Sequence, residues 1–118
     1  MEKTAINFPD EVQRTIDSKR AYIAQAHEAL NDEPTAENMQ LYQNAIRDFV
    51  SLVVIQIYSL SAKSKWHDVP CRDLYERVNG VEEELAALTE KINGSSQDYL
   101  SEQCSRIDKL LDELLVRS

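Results

Sequence analysis

The chain has 118 residues, with 13 lysines and arginines against 21 aspartates and glutamates, for a formal net charge of −8. That length holds one domain with one core. The charge repels phosphate backbones and anionic lipid surfaces, so nucleic acid and membrane are set aside as main partners.

Two glycines and three prolines leave little room for the tight turns of an all-β fold. Two cysteines, Cys71 and Cys104, read as reduced thiols in a cytoplasmic chain rather than as a disulfide. Residues 1–7 show no apolar run behind Lys3, so a secretory leader is not expected and the cytoplasm is. They are read as frayed or extended, with residues 1–8 outside the packed part of a single helical domain over 1–118.

The first helix opens near Pro9. Asp10 and Glu11 place negative charge at the positive end of its dipole. It runs to about Leu30. Val12, Ile16, Ile23 and Leu30 form a thin apolar stripe, with Ala26 between them. His27 falls beside this stripe and reads as a residue at the edge of the core.

Asn31, Asp32, Glu33 and Pro34 break the pattern. Thr35 can cap a second helix that runs from about Ala36 to Ala62. Its segment 41–60, LYQNAIRDFVSLVVIQIYSL, is apolar on nearly every side. Tyr42, Ile46, Phe49, Val53, Ile57 and Leu60 share one face. Leu52 and Ile55 lie roughly opposite, where a surface helix is normally polar. Three other helices are expected to wrap this one. Ser51, Gln56 and Ser59 interrupt the run, which is too short and too polar to span a bilayer.

Lys63, Ser64 and Lys65 read as a polar connection, followed by the irregular stretch Trp66-His67-Asp68-Val69-Pro70. A third helix then carries Leu74, Val78, Val81, Leu85, Leu88 and Ile92 in unbroken steps of four and three. Gly80 sits inside it and predicts a close crossing, a kink or a break. Glu82, Glu83 and Glu84 read as a solvated face. Asn93 and Gly94 end the helix. Ser95 and Asp98 start a fourth with a pattern like a capping box. Leu100, Cys104, Ile107, Leu111 and Leu114 form its stripe. The expected fold is all-α: a four-helix bundle, or a long α-hairpin with flanking helices.

The run Pro34-Thr35-Ala36-Glu37-Asn38, followed by Leu41-Tyr42, Ile46 and Phe49, resembles the YaaR-like family of small bacterial helical proteins. Leu85-Ala86-Ala87-Leu88-Thr89 and Asp98-Tyr99-Leu100 with Ile107-Asp108 and Leu110-Leu111 fit the same pattern. The likeness spans roughly Val12 to Leu115. Between Lys63 and Tyr75 the chain departs from the family's basic, glycine- and arginine-containing segment. The resemblance implies a bacterial helical bundle. It brings no activity and no catalytic residue.

No set of residues in the sequence builds a catalytic centre. His67, Asp68 and Cys71 form one arm of a metal or thiol site, but zinc usually takes four ligands and no second arm follows. No carboxylate-x-x-His pair and no glycine-rich phosphate loop occurs. No cofactor and no metal is expected. The reading is a non-enzymatic interaction or adaptor module. Trp66, Leu52 and Ile55 are its candidate partner-binding residues. An export-chaperone-like role and a self-associating subunit are the alternatives.

Overall fold

The computed structural model describes the backbone of residues 4–63, 71–92 and 97–117. Four helices make up nearly all of it: α1 (Asp10–Asp32), α2 (Ala36–Lys63), α3 (Cys71–Lys91) and α4 (Gln97–Leu114). Helices α1 and α2 pack as one hairpin, α3 and α4 as a second, and the two hairpins stack into an all-α bundle. The molecule measures 49 × 27 × 21 Å, and the 28 residues of α2 span most of the long axis.

The turn between α1 and α2 accounts for the distinctive Pro34-Thr35-x-x-Asn38 run. Thr35 Oγ1 accepts from the backbone N–H of Asn38 at 3.1 Å and caps α2. Asn38 reaches the other way. Its Nδ2 donates to the carbonyls of Glu33 at 2.8 Å and Ala29 at 3.2 Å, which also accept the backbone N–H groups of Thr35 and Glu33. Two side chains at the start of α2 therefore close the corner.

Residues 4–8 are not frayed. Thr4–Ala5 (β1) pairs antiparallel with Val116–Arg117 (β2), and Ile6 N–H donates to Leu115 O at 2.9 Å. Ile6 is buried. Arg77 of α3 fixes the same corner, donating through Nη1 to the carbonyls of Glu113 and Val116, both at 2.8 Å. A cation at the C-terminal end of α4 also complements its dipole.

The core is the set of stripes read from the sequence. Ile16, Ile23, Leu30, Tyr42, Ile46, Phe49, Val53, Ile57, Leu85, Leu88, Leu100, Ile107, Leu111 and Leu114 are all at most 1% exposed. Burying a side chain of this size contributes about 1.5–3 kcal/mol.

Two expectations need correction. Helix α2 is not wrapped on all sides: Leu41, Ile55 and Tyr58 on its outer side stand in solvent. Gly80 marks neither a break nor a close crossing. Helix α3 is continuous through it, and a Cβ placed there would meet nothing within 4 Å. The caps expected at Asn93, Gly94 and Ser95 lie outside the described residues. Among the described residues no helix is long and apolar enough to cross a membrane.

Candidate functional site

The outer faces of α2 and α3 meet in an open furrow. Val54 and Tyr58 line it from α2, and Leu74, Tyr75 and Val78 from α3. Its volume is about 310 Å³. Tyr58 is 44% exposed, Tyr75 69%, and Ile55 on its α2 rim 63%. Single exposed apolar residues are ordinary, whereas an adjoining group of them marks an interaction surface. Further along, the two helices are tied by polar contacts. Arg47 pairs with Glu82 at 3.4 Å, and Gln43 donates to Thr89. The apolar opening is thus confined to one end.

The expected partner-binding residues fall in three different places. Ile55 is exposed beside the furrow. Leu52 is half-buried and packs against the core. Trp66 lies outside the described residues, as do His67 and Asp68, and the side chain of Cys71 is not described either. Among the described residues no group of three or more His, Cys, Asp or Glu side chains is placed to hold a metal ion.

Tyr58, Tyr75 and Val78 were readable only as core or core-edge positions. Val78 belongs to the α3 heptad, and a heptad does not say which of its members face a neighbour. Tyr42, on the apolar face read for α2, is fully buried.

A second cluster lies between α1, α2 and α4 and had no signal in the sequence. Arg20 and His27, seven residues apart on α1, face Cys104, Asp108 and Asp112, spaced by four on α4, with Tyr42 of α2 beneath. Arg20 Nη2 donates to Asp112 Oδ1 at 2.9 Å. The His27 and Tyr42 rings lie 6.2 Å apart. The Tyr42 hydroxyl interacts with the Cys104 thiol, but no hydrogen bond of ordinary geometry satisfies it.

Burial sets the chemistry of this cluster. It pushes the Tyr42 phenol far above its usual range and the Cys104 thiol up to about 11. It also raises the Asp108 carboxyl, against the pull of Arg20 and His27. At neutral pH Cys104 is a protonated thiol at the centre of the bundle. A thiol in that state is a poor nucleophile. The cluster's visible effect is to fix how α1 and α2 sit on α4.

An acidic all-α bundle of two stacked hairpins is the class that this fold defines. Residues 2–111 match the family described as protein of unknown function DUF327, and the chain belongs to that family, which includes the YaaR-like proteins. Protein TM1646 from Thermotoga maritima, of the same family, is similar at 25% identity over 89% of this chain and 88% of its own, with a TM-score of 0.70. The uncharacterized protein BH1478 from Bacillus halodurans is similar at 17% identity, covering 90% of this chain and 88% of its own, with a TM-score of 0.79. A designed granulopoietic protein made by topological rescaffolding, Moevan, is similar at 19% identity over 97% of this chain and 99% of its own, with a TM-score of 0.83. The last two share the fold alone. No curated protein matches the chain.

Proposed function

We propose that this chain is a non-enzymatic protein-interaction module of the cytoplasm, and that it docks its partner at the α2–α3 furrow. One observation carries the reading: Tyr58 and Tyr75 stand exposed in an apolar opening, with Ile55 exposed one turn from Tyr58 on α2. Aromatic side chains of this kind are the usual anchors of protein interfaces. The acidity supports a protein rather than a nucleic acid as partner. A non-enzymatic reading agrees with Cys104 being buried and protonated.

The test is a photo-crosslinking amino acid placed at position 55 in the native host, with the same probe at Gln25 on the exposed side of α1 as control. The proposal expects a discrete adduct to one protein from position 55 and none from position 25. The same diffuse products from both positions, or no adduct from either, would overturn it.

A further inference from the structure

We propose that an internal water site lies between α1, α2 and α4, where Asp108 of one hairpin is bridged through ordered water to Arg20, His27 and Tyr42 of the other. The two hairpins are then joined at this seam by solvent as well as by side chains. The site is separate from the furrow and does not depend on the docking function.

The polar groups of the seam do not satisfy one another directly. The Tyr42 hydroxyl, His27 Nε2 and Arg20 Nη1 are all cut off from bulk solvent, and none of them meets a hydrogen-bond partner. The other terminal nitrogen of Arg20, Nη2, is already given to Asp112 at 2.9 Å. On α4 the half-buried Asp108 carboxylate takes no direct hydrogen bond or ion pair among the described residues. Yet the charges of Arg20 and His27 act on Asp108, and Asp108 acts on Tyr42. These groups are near neighbours held more than a hydrogen-bond length apart. A polar gap of that kind is what a bridging water fills.

The donors and acceptors match a water. An interior water needs roughly two to four polar partners. Arg20 Nη1 donates, the Asp108 carboxylate accepts, and the Tyr42 hydroxyl can do either. A water can accept from the first, donate to the second and close on the third, with His27 Nε2 as a further partner. A bond to such a water adds little net stability, because the water gives up freedom to make it. Its effect is to set how the hairpins sit on each other.

Other ways of satisfying these atoms fail. Arg20 is held by Asp112 and lies over the Phe49 ring, 5.6 Å from its centre, so Nη1 stays where it is. Tyr42 is fully enclosed by the core and has no room to turn. An anion would face the carboxylates of Asp108 and Asp112. Among the described residues no group of three or more His, Cys, Asp or Glu side chains is placed to hold a metal ion.

The test is a high-resolution crystal structure of the full chain, paired with oxygen-17 relaxation dispersion in solution. The second method reads the oxygen of long-lived water and is blind to exchanging hydroxyl protons. The crystal is expected to show a water about 2.6–3.2 Å from the Tyr42 hydroxyl and from the Asp108 carboxylate, with Arg20 Nη1 or His27 Nε2 as its third partner. Asp108→Leu, which removes the acceptor and fills its place, is expected to lower the dispersion amplitude by the contribution of at least one water. Lys109→Gln, at an exposed position of the same helix, is expected to leave it unchanged. Direct bonds from Tyr42 to Cys104 and from Asp108 to Arg20 or His27, with no water among them, would overturn the proposal. So would equal amplitudes in wild type and a folded Asp108→Leu chain. Where Asp108→Leu does not fold, the wild-type crystal structure decides alone.

Discussion

Arg20 on α1 and Asp112 on α4 lie 92 residues apart in sequence and 2.9 Å apart in space. The pair joins one hairpin to the other. The two partners do not contribute equally. Asp112 is largely exposed, with 66% of its side chain accessible, whereas Arg20 retains 27%. The Arg20 guanidinium also lies 5.6 Å from the centre of the Phe49 ring, and its stem covers the core beneath. Asp112→Ala is expected to cost no more than about 1 kcal/mol, as exposed ion pairs do. Arg20→Ala is expected to cost clearly more, because packing is lost with the charge. Urea unfolding of both single variants and the double variant measures this. A coupling as large as the whole Arg20 effect would show that the ion pair, not the packing, is what matters.

That pair also shows where the sequence is legible and where it is not. The four helices and most of the core follow from steps of three and four, because a buried stripe repeats locally along one helix. Arg20 and Asp112 have no local signature. Neither do Tyr42 and Cys104, whose contact depends on how two helices are set against each other. The furrow was hidden for a related reason. Val54, Tyr58 and Val78 belong to apolar patterns that read alike whether a neighbour covers them or not. Ile55 was readable as an outlier because it lies off the buried face. The pairing of Thr4–Ala5 with Val116–Arg117 was invisible because two-residue strands have no period to detect.

Tyr42 and Cys104 give a pH prediction. The folded chain holds the Cys104 thiol at about 11, against 9.0 for the free group. The unfolded chain therefore loses this proton first as pH rises. Stability from this source is complete below about pH 9 and is lost as pH climbs through about 11. The stability difference between wild type and Cys104→Ala should shrink between pH 8 and pH 10.5, measured by urea midpoints. Tyr42→Phe removes a hydroxyl without a good partner and should be neutral or slightly stabilising. Tyr42→Ala should cost about 3–5 kcal/mol, as other large-to-small aromatic changes in cores do. A large loss in Tyr42→Phe would mean that the hydroxyl makes a strong bond.

The corner between α1 and α2 yields a third prediction. Thr35→Ala removes a helix cap and should cost about 1 kcal/mol. Asn38→Ala removes two bonds to carbonyls at the end of α1 and should cost about 1–2 kcal/mol. Neither side chain lines the furrow, so crosslinking from position 55 should not change in either variant. If Asn38→Ala abolished the crosslink while the melt was unmoved, the Pro-Thr-x-x-Asn run would have a recognition role rather than a structural one.

Gly80 is the position where a single added methyl should help. Glycine inside a helix loses more backbone freedom on folding than alanine does, at about 1 kcal/mol. Such a residue is often kept because a neighbour leaves no room or because the backbone needs a left-handed turn. Neither reason holds here. Helix α3 is continuous through the position, its backbone is not left-handed, and a Cβ would enter open space. Gly80→Ala is therefore expected to stabilise the bundle by about 0.4–1 kcal/mol, raising the urea midpoint without changing the slope. Val78→Ala, two residues earlier and packed against the core, should shift it the other way. A destabilised Gly80→Ala variant would show that something does press on α3 at that point, and a partner or second chain docked there would be the first thing to look for.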